Sequence, residues 1–507
     1  MGESRSKKAI FNTIAGFSYE IVAVICGLIL PRLILSNFGS AYNGITSSIT
    51  QFISCISLMK AGIGGVTRAA LYKPLAEHNT QEISEIVVGT ERFMRTIALI
   101  FTGCVCVFAA VYPIWINTDF QWSFTFSLIL IIAISTFVQY YFGITYQMLL
   151  SADQRQGITS IVQIVSNVLN TLISAALIYF GATIHIVKLG SAVAFAINPL
   201  IISTYARKRY KINRKVKPQR DRIKQRWDAM GHEVANFVNK NTDIMVLTIF
   251  SGIKEVSVYT VYAYVTTAIH KVVSNFVLGF GAAFGNMYAR QEYKLMKENL
   301  GVFELIVFSV VSIVYSVTLV MITPFALLYT TGVTDVSYNR PLFGILITFA
   351  GAFTCFRIPY YAITTAVGHY KQTRNGAFFE AILNIVISVS CVIRFGIVGV
   401  TIGTLCAALF RSCQYAYYMS KNILQRNIMI FAGHTIVAVG IMGLTYLIGT
   451  SYLTDVSNVS MWICKAAITT LIATALTIMT DIIFWRRDLF RFISKIVRIL
   501  PKRFRKK

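Results

Sequence analysis

The sequence is poor in charged residues and poorest in acidic ones. Only 13% of its 507 residues are charged, and Asp and Glu together number 21 against 47 Lys and Arg, whereas 55% of residues are hydrophobic. Mean hydropathy is +0.63. A soluble globular chain carries about 25% charged residues, so this composition excludes that class. Repeated apolar stretches of about 20 residues instead predict an all-α polytopic membrane protein.

Fourteen transmembrane spans are predicted. No small-residue cleavage site follows the N-terminal MGESRSKK, so the first span is expected to be retained. The spans lie at about 9–35, 42–66, 96–116, 123–150, 158–180, 184–206, 232–251, 256–289, 300–329, 342–366, 376–393, 396–420, 428–449 and 458–485.

Lys and Arg are nearly absent from every second break between these spans. The odd-numbered breaks contain Lys254, Arg340 and Arg394 and no other basic residue. Because cytoplasmic loops accumulate Lys and Arg, the even-numbered breaks and both termini are predicted to be cytoplasmic. The odd-numbered breaks are also short, the longest having about twelve residues. They leave little room for an external active site, and a transporter is expected rather than an enzyme.

Recognisable catalytic and metal-binding motifs are missing. HExxH, GxSxG and Gly-rich phosphate loops do not occur, and the nine Cys all fall within predicted spans without paired ligand spacing. The cysteines are therefore interpreted as small buried residues. No metal site, disulfide framework or cofactor is predicted.

Two basic segments account for most of the formal charge of +26. Eleven Lys or Arg lie within 207–226, and ten more follow Trp485. Nucleic-acid binding is the alternative interpretation, but such segments in a membrane protein act as topology signals and attract anionic lipids. The tail carries Leu489, Phe492, Ile493, Ile496 and Leu500 at helical intervals between cations, which predicts an amphipathic helix on the inner membrane surface.

The long basic break after span 6 indicates two six-span halves. The predicted segments are an N-terminal lobe at 1–206, a basic cytoplasmic linker at 207–231, a C-terminal lobe at 232–420, spans 13 and 14 at 421–485, and a basic tail at 486–507. Two halves in the same orientation are a known transporter plan, with the substrate site between them.

Span 7 opens with VANFVNKNTDIMV, which is unusually polar for a transmembrane segment. At about 100° per residue, Asn236, Asn239, Lys240 and Asp243 share one face. Intramembrane charges usually face a cavity or an ion path. The alternative is that Lys240 and Asp243, three residues apart, pair with each other and serve only the structure.

Other spans carry weaker polar faces. Span 8 places Lys271 in a stripe of polar residues, span 1 contributes Tyr19 and Glu20, and span 2 contributes Gln51. Further candidates complete the pattern: Gln163, Ser166, Asn167 and Asn170 at helical spacing in span 5, and the buried cations Arg357 and Arg411. Glu380 lies close to a span end and is predicted to be interfacial. The Tyr-rich stretches VQYYFG and PYYA are predicted to serve packing rather than sugar binding.

Several stretches resemble a known family. The run NTIAGFSYEIVAVICGLILPRLIL, the following FGSAYNGITSSITQFISCISLMKAGIGGVTRAALYKPLAEHN, and the later LSADQRQ and SVYTVYAYV look like Wzx-type polysaccharide flippases of the multidrug/oligosaccharidyl-lipid/polysaccharide exporter superfamily. The resemblance covers most of the first 300 residues and identifies no sugar.

The resemblance implies a two-lobed bundle with a central cavity that alternates between membrane faces. The implied substrate is an undecaprenyl-diphosphate-linked oligosaccharide, moved to the outer leaflet of the bacterial plasma membrane. On this basis we expect substrate contacts from Lys240, Lys271, Arg357, Asn236, Asn239, Gln51 and Tyr19, with the cations contacting the diphosphate. Glu20 and Asp243 are candidates for H⁺ or Na⁺ coupling. A polysaccharide polymerase or glycosyltransferases are candidate partners.

Three other functions compete with this one. A lipid II flippase would differ mainly in cargo. A multidrug exporter would share the fold, but a cavity with Lys240, Lys271 and Arg357 is a poor match for organic cations. A membrane glycan polymerase or ligase would be expected to have a large external loop.

Overall fold

The computed structural model describes residues 5–60, 63–116, 120–216, 241–452 and 456–499. Within these ranges all regular structure is helical. Ten of the described helical segments are long and apolar enough to cross a membrane. The predicted all-α polytopic class is therefore confirmed.

Contacts divide the chain into two units, of which the first comprises Met1–Val258 and Gly332–Val336. Its helices are α1 (Arg5–Phe38), α2 (Ser40–Ile56), α3 (Ile63–Ala76), α4 (Thr80–Trp115), α5 (Trp122–Val138), α6 (Ile144–Ala152), α7 (Gln156–Tyr179), α8 (Ile184–Tyr210) and α9 (Asn241–Phe250). A five-residue π-helix, Gln139–Gly143, joins α5 to α6. Together these three segments form one long span.

The second unit comprises Tyr259–Thr331 and Ser337–Lys507. Its helices are α10 (Ile253–Ala289, which begins in the first unit), α11 (Tyr293–Tyr329), α12 (Pro341–Phe356), α13 (Ile358–Ala366), α14 (Tyr370–Asn422), α15 (Met429–Tyr452), α16 (Val459–Phe484) and α17 (Arg486–Ile499). Helix α11 packs against α12, α15 and α16. Buried aromatic residues such as Phe308, Tyr315 and Phe356 fill the core of this unit.

Helix α14 consists of two helices joined at Gly396, whose backbone has φ 54° and ψ −128°. A positive φ is readily adopted by glycine, which lacks a Cβ. Beyond the bend, a Cβ on Gly403 would lie 2.2 Å from Ser388 Oγ, so the two arms pack too closely for any side chain there. The two arms correspond to predicted spans 11 and 12. Predicted spans 2, 7 and 8 overlap α2, α9 and α10, which are not among the ten apolar segments, and residues 232–240 of span 7 lie outside the described residues.

The connection between α11 and α12 includes a short segment that belongs to the first unit. Asp335 accepts hydrogen bonds from the Ser40 backbone N–H at 2.8 Å and from the Ser40 hydroxyl at 2.7 Å. A carboxylate stabilises a helix N-terminus, here that of α2. Residues 241–258 also group with the first unit, whereas the sequence assigns them to the second lobe. The five predicted chain segments therefore stay predictions.

The described part of the tail is helix α17, which lies against the N-terminal part of α11. Arg491 is 3.8 Å from Glu298, and Lys495 donates a hydrogen bond to Asn299. Phe490 remains exposed on α17. The helical prediction therefore holds over the described part of the tail, while its position on a membrane surface stays a prediction.

Candidate functional site

One face of α7 is polar along the whole helix. Its residues recur at intervals of three or four and are Gln156, Ser160, Gln163, Asn167, Asn170 and Ser174. The 24 residues of α7 span roughly 36 Å at 1.5 Å per residue, which is comparable to a hydrocarbon core of about 30 Å. Because polar groups are costly in lipid, this face has to be enclosed by protein or water.

A cavity of about 170 Å³, here called cavity A, lies beside the middle of this face. It is lined by Tyr19 of α1, Ser135 of α5, Gln139 of the π-helix, Gln147 of α6, Gln163, Ser166 and Asn167 of α7, and Phe195, Asn198 and Pro199 of α8. None of these residues is charged. Amides and hydroxyls both donate and accept hydrogen bonds, so the wall suits a neutral polar group or water.

Two features of cavity A indicate a site rather than a packing defect. Ser166 is 1% exposed, and its hydroxyl has no hydrogen-bond partner among the described residues. Buried polar groups are normally paired, so this hydroxyl needs a ligand or water. The π-helix adds a residue to a helical turn, a feature frequent at functional sites. It brings Gln139 to the cavity, while Tyr140 packs and donates its hydroxyl proton to the Ser57 carbonyl at 2.7 Å.

Beyond cavity A the polar face of α7 is satisfied by neighbouring side chains. The Asn170 side-chain oxygen accepts hydrogen bonds from Ser191 of α8 and from Ser174 at 3.4 Å. This end of α7 therefore has internal partners, unlike the Ser166 hydroxyl, which has none among the described residues.

A second cavity, here called cavity B, lies toward the N-terminal end of α7. It has a volume of about 230 Å³ and is lined by Gly64 and Arg68 of α3, Ile144, Gln147, Met148 and Ser151 of α6, and Gln156, Thr159, Ser160 and Gln163 of α7. Gln147 and Gln163 line both cavities. The two spaces are therefore neighbours within the first unit.

The turn between α6 and α7, which contains the motif LSADQRQ, is fastened by Asp153. This carboxylate binds Lys8 at 3.0 Å, Arg155 at 2.9 Å and the Tyr210 hydroxyl at 2.6 Å. Burial alone would raise the pKa of Asp153, but the hydrogen bonds from Tyr210 and Lys8 and the positive charges of Lys8 and Arg155 outweigh burial and lower that pKa. The turn therefore anchors α1 and α8 to the start of α7.

The second unit contains a buried cluster of ion pairs around Glu380. Glu380, buried at 5% exposure, accepts from Arg357 at 2.6 Å and lies 3.2 Å from the Nε atom of Arg411. Arg411 also donates to the Thr373 carbonyl at 3.1 Å and to the Tyr415 hydroxyl at 2.7 Å. Glu380 therefore lies between two arginines inside the protein, and its position at the membrane interface stays a prediction.

The predicted substrate-binding residues fall into different places. Tyr19 lines cavity A. Gln51 is half-buried on α2, and its amide nitrogen has no hydrogen-bond partner among the described residues. Lys271 is exposed on α10, and the side chain of Arg357 is 21% exposed beside Glu380.

Three predicted contacts cannot be placed. Lys240, Asn236 and Asn239 lie outside the described residues. Of the two ion-coupling candidates, Asp243 is buried on α9 and Glu20 is half-buried on α1. The roles assigned to all these residues stay predictions.

Sequence reasoning missed much of both cavities. It found Tyr19, Gln163, Ser166 and Asn167, but not Gln139, Gln147 and Asn198 in cavity A or Arg68 and Thr159 in cavity B. The available signal was the presence of amide side chains within otherwise apolar stretches of spans 4 and 6.

Comparison with known proteins identifies both family and fold. Residues 7–279 match the family model described as polysaccharide biosynthesis protein. No curated protein sequence matches the chain. Among solved structures, the chain is similar to the lipid II flippase MurJ in an inward closed conformation, with TM-score 0.69 and 14% identity over 95% of this chain and 100% of that one.

Two further structures have related folds. An inward-facing multidrug resistance MATE family transporter of the MOP superfamily gives TM-score 0.64 and 14% identity over 81% of this chain and 98% of that one. A MOP superfamily transporter from Pyrococcus furiosus gives TM-score 0.58 and 12% identity over 83% and 97%. The resemblance found in the sequence is thereby confirmed: the fold is that of MOP-superfamily transporters. Because the family model spans more than half of the chain, this multi-pass membrane protein belongs to the polysaccharide biosynthesis protein family.

Proposed function

We propose that the protein is a flippase that moves undecaprenyl-diphosphate-linked oligosaccharides from the inner to the outer leaflet of the bacterial plasma membrane. It would act by alternating access, with both termini in the cytoplasm, and serve the synthesis of a cell-surface polysaccharide. The family and the transporter fold support the general class. The observation that supports an oligosaccharide as the substrate is the uncharged wall of cavity A along the polar face of α7.

The chemistry of this wall matches carbohydrate better than drug cations. Sugar hydroxyls donate and accept hydrogen bonds, as do the amides of Gln139, Gln147, Gln163 and Asn167. A cation would need a carboxylate to offset its desolvation, and cavity A has none among its lining residues. The cavity is smaller than the roughly 300–1,000 Å³ typical for drug-sized ligands, so it suits one polar group at a time.

Transport into liposomes tests this proposal. Purified protein is reconstituted with a fluorescent undecaprenyl-diphosphate-linked oligosaccharide, and its leaflet is followed with an impermeant quencher. Asn167→Leu is expected to slow translocation by about tenfold, since one buried hydrogen-bonded contact is worth roughly 1.4 kcal/mol. The matched control is Gln81→Leu, which alters an exposed amide on α4.

The same assay separates the alternatives. Movement of lipid II without movement of the oligosaccharide would favour the lipid II alternative, and transport of organic cations alone would favour a multidrug exporter. Equal rates for the wild type and Asn167→Leu would remove cavity A from the transport path.

Lys240, Lys271 and Arg357 remain our proposed diphosphate contacts. Lys271 and Arg357 are at least partly exposed, as contact with a ligand requires. Unchanged binding of the lipid-linked substrate in the double variant Lys240→Ala/Lys271→Ala would argue against both lysines.

We also propose coupling to H⁺ or Na⁺ through Glu20 or Asp243. Glu20 adjoins Tyr19, which lines cavity A, and Asp243 is 8% exposed on α9. Imposed pH or Na⁺ gradients should change the translocation rate of the wild type and have less effect on Glu20→Gln or Asp243→Asn. A wild-type translocation rate that is the same with and without either gradient would rule out this coupling.

A further inference from the structure

Cavity B differs from cavity A in carrying a positive charge. Among the described residues, Arg68 of α3 is the one charged side chain in its lining, which otherwise presents the amides of Gln147, Gln156 and Gln163 and the hydroxyls of Ser151, Thr159 and Ser160. No carboxylate from the described parts of the chain lines it. A cation beside hydrogen-bond donors is a suitable site for an anion.

The side chain of Arg68 is exposed, makes one hydrogen bond within α3 and still has donors to offer. Its Nε atom donates to the carbonyl of Gly64, one turn earlier on α3, at 3.1 Å. Its two terminal nitrogens make no hydrogen bond or ion pair with the residues that the structure describes. Arginine binds phosphate through two parallel hydrogen bonds from such a planar fork.

Thr159 provides a second and independent indication. Its side chain is 8% exposed, and its hydroxyl lacks a hydrogen-bond partner within the described parts of the chain. A buried hydroxyl without a hydrogen-bond partner is unfavourable, so a ligand or water is expected to bond with it. An oxyanion bound at Arg68 would accept a hydrogen bond from this hydroxyl.

The surroundings also favour an anion. Cavity B adjoins the turn between α6 and α7, where Asp153 is outnumbered by Lys8 and Arg155. The charge distribution of the sequence assigns this end of the bundle to the cytoplasm. A surplus of positive charge there raises the local concentration of anionic groups.

From these observations we infer that cavity B binds the phosphate groups of an isoprenyl diphosphate, held by Arg68 and Thr159, where the substrate enters from the cytoplasmic side. The inference rests on the proposed function and names a separate binding step. Gln147 and Gln163 form a wall common to both cavities, so a sugar attached to a diphosphate in cavity B lies next to cavity A.

Binding of farnesyl diphosphate, which carries the diphosphate and a short prenyl chain but no sugar, tests this site. Its affinity for the full chain in neutral-lipid nanodiscs is measured by calorimetry. Arg68→Ala is expected to weaken binding by about tenfold or more, and Arg68→Lys by less, since lysine keeps the charge but loses the fork. Thr159→Val, which preserves shape, is expected to weaken binding several-fold.

The matched control is Arg92→Ala, which removes an exposed arginine of α4 that lines neither cavity. It should leave affinity within about twofold of the wild type. Unchanged affinity in folded Arg68→Ala and Thr159→Val, or an equal loss in Arg92→Ala, would overturn the inference.

Two further comparisons complete the experiment. One distinguishes a substrate diphosphate from a lipid headgroup as the ligand, and the other tests this inference apart from the proposed function. Loss of farnesyl diphosphate binding in phosphatidylglycerol nanodiscs would assign the site to lipid headgroups and refute a substrate site. Farnesyl diphosphate binding that persists in phosphatidylglycerol nanodiscs would support a substrate site. Because the probe lacks sugar, Arg68-dependent binding would survive a failure of oligosaccharide transport, and transport without that binding would refute the inference alone.

Discussion

Two regions of the protein, the polar face of α7 in the first unit and the ion pairs of α11 and α14 in the second, bury polar groups in different ways. In the first, α7 presents amides and hydroxyls to cavities, and hydroxyls such as those of Ser166 and Thr159 have no partner among the described residues. In the second, buried charges are matched: Glu380 with Arg357 and Arg411, and Glu304 with Arg426. The first arrangement leaves hydrogen-bonding capacity for a ligand, whereas the second uses most of that capacity internally.

This difference separates residues that bind from residues that hold the fold. An uncharged polar wall costs less to bury than a charge, and it can exchange partners as a substrate passes. A buried ion pair is strongly destabilised when one partner is removed. We therefore expect substitutions on the polar face of α7 to affect transport and substitutions at the buried ion pairs to affect stability.

The strongest test breaks an ion pair in the second unit. Glu304 of α11 is fully buried, and both of its oxygens accept hydrogen bonds from Arg426, one at 2.7 Å. Arg426→Ala would leave this carboxylate uncompensated, so the free energy of unfolding should fall by about 3–5 kcal/mol. Thermal unfolding in detergent measures the change.

Two arginines serve as controls. Arg394→Ala alters an exposed arginine of α14, and Arg68→Ala alters the lining of cavity B. Both should unfold close to the wild-type temperature. If Arg68→Ala proved as unstable as Arg426→Ala, the distinction between cavity residues and ion-pair residues would fail.

The sequence predicted what depends on local periodicity. The class, the hairpin of spans 11 and 12, and the cavity residues Tyr19, Gln163, Ser166 and Asn167 all follow from residues at helical spacing. Each of these features can be predicted from the residues of one helix without knowing how the helices pack.

What the sequence did not predict depends on tertiary contacts or irregular backbone. The π-helix shifts the register after α5, so regular 100° spacing does not align Gln139 with Gln147. The ion pairs of Glu380 were not predicted, because distance from a span end does not reveal the arginines packed against it. Arg68 and Thr159 come together only through the packing of α3 beside α6 and α7.

A pair of serines, one in each unit, gives a smaller but sharper contrast between a cavity hydroxyl and a structural hydroxyl. Ser412 of α14 is fully buried, and its hydroxyl lies 2.8 Å from the Phe353 carbonyl of α12. Ser412→Ala should reduce the free energy of unfolding by about 1 kcal/mol. Ser166→Ala removes a hydroxyl without a described partner, so stability should stay equal or rise while transport slows.

Thermal unfolding and the liposome assay together resolve this pair. A loss of stability in Ser166→Ala equal to that in Ser412→Ala would mean that Ser166 has a structural partner. Unchanged transport in Ser166→Ala would mean that its hydroxyl does not contact the substrate.

The smallest expected effect is a pH dependence at the turn between α6 and α7. Since the pKa of Asp153 is lowered by its partners, the folded state binds fewer protons at this site than the unfolded state, whose pKa is about 3.9. The stabilisation is therefore fully present above about pH 4. It is lost as pH falls through the lower folded-state pKa.

Comparison of the wild type with Asp153→Asn isolates this contribution. The asparagine variant should be less stable at neutral pH by at most about 1 kcal/mol, because the pair with Lys8 is only partly buried. The difference should shrink as pH falls below about 4, where the wild-type carboxyl becomes protonated. A difference that stays constant through that range would mean that the hydrogen bond from Tyr210, rather than the charge of Asp153, fastens the turn.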